Sequence, residues 1–262
     1  MSMSTARFET TETTTVPDDF LSGVFGYPCR FLAHPFDWNV LSAELSAMSA
    51  GPAFVWTKVT GRDDPSFAPL IDLGFTIATE EITYERPAAS KMHEPLIPAP
   101  PPEDFTVRKI MQAEAAGEAA IAEQVGALAA RNLTTSRFHQ DPEIPDNIAA
   151  EIKKRWAVNF FKGLRGQEMI VAMTPGGRIV GFNQLLSGPD GKVIDLICTA
   201  GDYRRHGVAR ALVEAMIEPG KQIRVGSQAN NDAANKFYIS MGFQPVRSSI
   251  CLHWHAGNRS RA

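Results

Sequence analysis

The apolar and polar positions along the chain change period from one segment to the next, and the changes mark its elements. Short apolar segments predict a helix over 38–48, a strand over 53–59, a short helix over 67–73 and a strand over 76–84. Pro87, Pro95, Pro98, Pro100, Pro101 and Pro102 then crowd one stretch, and each proline removes a backbone donor and fixes φ, so no helix or central strand runs through it. Beyond it the pattern predicts a strand over 105–111, helices over 117–131 and 145–161, and strands over 169–173, 179–186 and 192–199. Thr174-Pro175-Gly176-Gly177 and Pro189-Asp190-Gly191 separate those strands as turns, which makes them a three-strand meander. A helix over 208–217, a strand over 222–226, a helix over 232–241 and a strand over 248–254 complete the order. Such an order predicts an α/β (α+β) fold, a mixed sheet covered by helices.

The expected organisation is a polar, Thr-rich mobile tail over 1–16, a small α/β domain over 17–86, a proline-rich linker over 87–102, a larger domain over 103–255 and a short tail over 256–262. Composition narrows the function. A net charge of −3 and a pI near 6.1 argue against a duplex-binding protein. The chain holds no apolar run of membrane-span length, and the opening MSMSTARFETTETTT is polar where a secretory leader is apolar, so a cytoplasmic location is expected. Cys29, Cys198 and Cys251 are far apart and odd in number, so reduced thiols are expected. His253 and His255 share a strand face, but with no third ligand in view they read as a surface pair, and no metal is expected.

The strongest chemical signal is Arg204-Arg205-His206-Gly207-Val208-Ala209, set between a strand and an amphipathic helix. Backbone N–H groups at a helix start form an anion cradle, and glycine allows close approach to the backbone. Alone, this spacing is common in strand-to-helix turns. Here Asn231-Asp232-Ala233-Ala234-Asn235-Lys236-Phe237-Tyr238 follows, ending in Gly242-Phe243. Together the two motifs resemble the GNAT superfamily of N-acetyltransferases, with its R/Q-x-x-G-x-G/A and N-x-x-A-x-x-x-Y signatures, over residues 103–255. The resemblance implies acetyl-CoA as co-substrate, with Arg204, Arg205, His206, Gly207, Val208 and Ala209 around its pyrophosphate. It also implies cofactor contacts from Asn231 toward the pantetheine, from Ala234 and Phe237, and from a bulged strand whose amides near Ile197, Cys198 and Thr199 face the thioester. By the same resemblance Tyr238 is the general acid, a phenol of pKa about 10 that hands a proton to a leaving thiolate of pKa about 8.5.

Cys198 itself reads as a buried strand thiol, since no base lies near it in sequence. Asp195 stands in an otherwise apolar strand and is either an acceptor contact or proton relay, or a residue on an exposed strand face. Asp195 and Glu168 are the candidates for the base that neutralises the attacking amine. Ser136-Arg137-Phe138, the helix with Trp156 and Tyr238-Ile239 further resemble the nucleotide-linked amino-sugar N-acetyltransferases of the TDP-fucosamine type. In that reading Arg137 meets a nucleotide phosphate, while Phe138 or Trp156 stacks on a base or sugar; a solvated Arg137 and a core Trp156 are the plain alternative. Leu70-Ile71-Asp72-Leu73-Gly74-Phe75 mirrors Tyr238-Ile239-Ser240-Met241-Gly242-Phe243, like a half-domain repeat that lacks the tyrosine and the cradle and extends the sheet; chance likeness is the other explanation. The function expected is acetyl transfer to a primary amine of a small molecule, foremost a nucleotide-linked amino sugar. An amino acid, polyamine or antibiotic acceptor and a non-catalytic acyl-CoA sensor are the alternatives, and a homodimer is kept open.

Overall fold

The computed structural model describes residues 14–88, 104–189 and 191–256. They form two compact units, one of the residues up to Ile77 with those from Cys251 onward, the other Ala78–Ile250. The first unit contains β1 (Thr15–Pro17), α1 (Asp19–Phe25), β2 (Cys29–Leu32), α2 (Trp38–Met48), β3 (Phe54–Val59) and α3 (Phe67–Asp72). β2 pairs antiparallel with β1 and parallel with β3. Helix α2 starts where the Asp37 carboxylate accepts from the Asn39 and Val40 amides at 2.8 and 3.0 Å, satisfying two of the orphan donors of its first turn. Its Leu41 and Leu45, four residues apart, are fully buried.

Two expectations fail in this unit. The expected tail boundary after residue 16 does not hold, because Thr15–Pro17 is a strand and the Thr15 amide and hydroxyl donate to the Glu44 carboxylate at 3.0 and 2.8 Å. His253 and His255 are core, not surface, being 0% and 8% exposed with ring centroids 4.8 and 5.0 Å from that of Phe54. The apolar pattern predicts none of β1, α1 and β2.

The second unit is built from β4 (Thr76–Arg86, whose first two residues belong to the first unit), β5 (Thr106–Met111), α4 (Ala119–Asn132), α5 (Arg137–Gln140), α6 (Asp146–Val158), β6 (Glu168–Met173), β7 (Ile179–Gly188) and β8 (Gly191–Thr199). It continues with α7 (Val208–Glu214), β9 (Gln222–Gln228), α8 (Asp232–Ser240) and β10 (Gln244–His255), which ends in the first unit. Its strands run in the order β4-β9-β8-β7-β6-β5. The β8–β9 pair is parallel; the β4–β9, β5–β6, β6–β7 and β7–β8 pairs are antiparallel. Residues of β6 alternate between two cores: Ile170 and Ala172 pack with Leu212 and Met216 of α7's side, while Met169 and Val171 pack with Val125 of α4 and Ala157 of α6. A sheet covered on both faces explains why β6 reads as a continuous apolar run.

The division between the units does not follow the proline-rich stretch. It cuts β4 between Ile77 and Ala78 and β10 between Ile250 and Cys251, since Glu81–Arg86 of β4 pair along β9 and hold that half of the strand in the second unit. Residues 1–13, residues 89–103, which hold the greater part of the expected linker, and the terminal 257–262 lie outside the described residues. The mirrored segments adopt one local geometry: Phe75 and Phe243 donate their amides to Leu70 and Tyr238 at 3.0 and 3.1 Å, around Gly74 and Gly242 at φ 91° and 82°. Among the described residues no helix is long and apolar enough to cross a membrane.

Candidate active site

The site begins at a bulge. Leu185 of β7 faces Ile194 of β8 and Gln184 faces Leu196, so Asp195 is the extra residue. Its insertion flips the strand: Ile194 belongs to the core under α7 and α8, whereas Leu196 and Cys198 belong to the core under α4 and α6. Beyond it, β8 and β9 part. They pair only over Gly191–Ile194 and Gln222–Val225. Ala200 donates to Val180 at 2.8 Å, so by alternation the amides of Cys198 and Leu196 also turn toward β7, while Ile197 and Thr199 direct theirs into the gap. The expectation that Cys198 presents its amide there is thereby corrected; the amides that face the gap are those of Ile197 and Thr199.

The gap opens into a cleft of about 880 Å³ lined by Ile197, Cys198, Thr199, Arg204, Arg205, Gly207, Val208, Ala209, Asn231, Ala234, Phe237 and Tyr238. Of the expected cofactor residues, His206 alone does not line it. Gly207 caps α7 at φ 81°, and Arg205 is held at φ 65°, a costly backbone conformation for a residue with a Cβ. Among the described residues the amides of Arg205, Gly207, Val208, Ala209 and Arg210 meet no protein acceptor. Arg204, Arg205 and Arg210 line the cleft against one carboxylate, that of Asp232. An anion of pyrophosphate type fits this donor set.

A second cavity of about 170 Å³ sits at the inner end of the gap, lined by Asp195, Ile197, Ser227, Lys153 and Tyr238 among others. Ile197, Asn231, Ala234 and Tyr238 line both cavities. The Tyr238 ring packs against Tyr84, Phe237 and Phe243, and its hydroxyl makes no hydrogen bond with a described residue. Burial pushes the phenol above its ordinary pKa, so it remains protonated through neutral pH. Asn231 caps α8, its Oδ1 accepting from the Ala234 amide at 3.3 Å while Nδ2 donates to Thr135 Oγ1 at 3.2 Å. Its side chain therefore also fixes the start of the helix that carries Tyr238.

Asp195 is not on an exposed strand face; its side chain is 6% exposed. Its carboxylate accepts from Arg165 Nε and Nη2 at 2.7 and 2.6 Å, from Trp156 Nε1 at 3.0 Å and from Gln184 Nε2 at 3.0 Å. Saturated in this way, it serves as an anchor for Arg165 rather than a free base. Glu168 is bound by Lys192 and Lys109 and lines neither cavity. Arg137, Phe138 and Trp156 line neither cavity. Phe138 is fully buried, the Arg137 guanidinium lies 4.6 Å from its ring centroid, and Arg165 and Lys153 lie 4.6 and 4.7 Å from that of Trp156. The expected stacking surfaces are thus occupied from within the protein. Cys198 is a buried thiol directed at the Leu128 carbonyl, 3.7 Å away, and burial pushes its pKa up to about 12.

The residues missed in the sequence are Arg165, Thr135, Tyr203 and Lys153. Lys153 carried a signal: it stands four residues from both Ala149 and Ala157, each fully buried, so it lies on the inward side of α6.

Residues 165–245 match the family model described as an acetyltransferase (GNAT) domain. It is 31% identical over 144 residues to the spore coat polysaccharide biosynthesis protein SpsD of Bacillus subtilis (strain 168), across 53% of this chain and 49% of that protein. The chain thus spans about half the length of this curated relative. Among solved structures, a tandem GNAT protein from the clavulanic acid biosynthesis pathway superposes with TM-score 0.58 at 14% identity, over 88% of this chain and 76% of that one. A GCN5-related N-acetyltransferase from Sphaerobacter thermophilus superposes with TM-score 0.53 at 13% identity, over 92% and 75%. At these identities the superpositions establish a shared fold.

Proposed function

We propose that the chain is an acetyl-CoA-dependent N-acetyltransferase that acylates a primary amine of a small molecule, foremost a nucleotide-linked amino sugar. The observation that carries this reading is the parting of β8 from β9 at Asp195, beside which Ile197 and Tyr238 line both cavities. The larger cavity, with its open amides and three arginines, suits the pyrophosphate of acetyl-CoA, which when bound supplies an activated acyl group. The Ile197 amide donates to the oxygen on which negative charge develops, and Tyr238 holds the proton for the leaving group. Support for a sugar acceptor comes from the polysaccharide pathway named for the Bacillus subtilis relative.

The test is thiol release from acetyl-CoA with nucleotide amino sugars, amino acids and polyamines, the products identified by mass. Acetylation of a nucleotide amino sugar at least tenfold faster than of the other amines is the expected result. Preference for another amine would overturn the sugar assignment, and binding of acetyl-CoA without transfer to any amine would leave a sensor.

A further inference from the structure

We propose that Lys153 is the base that takes the proton from the acceptor's ammonium group, a catalytic role that rests on the acetyl-transfer reading above. The attacking nitrogen needs a free lone pair, and the two carboxylates that the sequence offered as its base are committed elsewhere: Asp195 to Arg165, Trp156 and Gln184, Glu168 to Lys192 and Lys109. Lys153 projects from α6 into the small cavity that it shares with Tyr238 and Ile197, where an amine must arrive to meet the acyl group. It is half-buried, and among the described residues its amino group makes no hydrogen bond or ion pair. Its near neighbours are rings, those of Trp156 and Phe138 at 4.7 and 5.8 Å.

The charges facing it come from four directions. Arg137 of α5 and Arg165 of the loop after α6 disfavour its ammonium form, while Asp195 of β8 and Glu81 of β4 favour it; His139 of α5 also lies within its field. Asp195 is already matched by Arg165. Burial, then Arg137, lower the Lys153 pKa to about 8. About a quarter of the side chain is then the free amine at pH 7.5, against roughly a thousandth for an ordinary lysine. In the transfer one proton moves from the acceptor ammonium to Nζ, the N–H bonding pair remains on the acceptor nitrogen as its lone pair, and Lys153 returns the proton to water through the cavity. A base with pKa near the working pH suits this task.

The role can be tested on the full chain without an acceptor. Trace acetic anhydride labelling across pH 6–11, read by peptide mass spectrometry, should give Lys153 a reactivity midpoint near pH 8, against about 10.4 for ordinary lysines. A midpoint above about 9.5, or no labelling of Lys153 at any pH, would overturn the proposal. With an acceptor from the panel, Lys153→Met and Lys153→Arg should both lose about 10²- to 10⁴-fold in kcat/KM, together with the inflection near pH 8, while acetyl-CoA binding by calorimetry is retained. Arginine keeps the charge but cannot give it up, so wild-type turnover by Lys153→Arg would reduce the residue to a fixed cation and refute a base. If no amine is acetylated although acetyl-CoA binds and Lys153 titrates near pH 8, it is the acetyl-transfer reading that has failed.

Discussion

Arg165 holds Asp195 in a two-pronged grip, Nε to Oδ2 at 2.7 Å and Nη2 to Oδ1 at 2.6 Å, at the residue where β8 bulges away from β9. The pair fastens the loop after α6 to the point of the sheet where the cleft begins. Because the Asp195 side chain is 6% exposed and Arg165 37%, most of the desolvation falls on the carboxylate. Arg165→Met should therefore cost about 2–3 kcal/mol in urea unfolding by leaving that charge without its cation. Arg165→Met with Asp195→Asn should recover part of the loss. Strictly additive losses would show that the two side chains do not act as a pair.

Gly207→Glu should abolish acetyl-CoA binding. The substitution puts a negative side chain beside the open amides of the cradle and a Cβ at φ 81°, where glycine carries no steric penalty. Calorimetry on the folded variant checks it, and affinity close to wild type would remove the cradle from the pyrophosphate.

Tyr238→Phe should retain acetyl-CoA affinity, since the ring still packs against Tyr84 and Phe243 and the arginines lie elsewhere. Turnover of an identified amine should fall about 10²- to 10⁴-fold. An unchanged kcat would make Tyr238 a core aromatic and nothing more.

Glu168 and Lys192 predict a stability plateau with two edges. Burial acts to raise the Glu168 carboxyl, but the hydrogen bond and charge of Lys192, then of Lys109, outweigh it and hold its pKa below 4.5. Burial acts to lower that of Lys192, and Glu168 with Glu218 outweigh it and hold it above 10.5. The lowered carboxyl contributes stability that is present above its unfolded pKa and lost as pH falls through the folded value. The raised amine contributes stability that is present below its unfolded pKa and lost as pH rises through its folded one. Urea midpoints should thus stay flat for this pair from about pH 5 to 10 and fall on either side. Glu168→Gln should cost about 3 kcal/mol at pH 7 and flatten the acid edge, and an acid edge as steep as wild type would refute the assignment.

By itself the sequence determined the longer elements and the glycine turn that borders the larger cleft. Helix α2 appears at the residues its spacing predicts, with Asp37 as its cap. The Thr174–Gly177 turn and the cradle at Gly207 are likewise local, since each depends on residues within about four positions. Tertiary structure alone decided the polar contacts around the smaller cavity. Asp195 meets Arg165 and Trp156 from 30 and 39 positions away, which fixes it as an anchor. Phe138 is fully buried, and the face of Trp156 is covered by two cations. Lys153 reaches the smaller cavity only because α6 packs against the face of the sheet that the bulge at Asp195 turns toward it. Periodicity states which side of a helix turns inward; what that side meets depends on chain segments far away in sequence, and the chemistry of a buried polar group is set by what it meets.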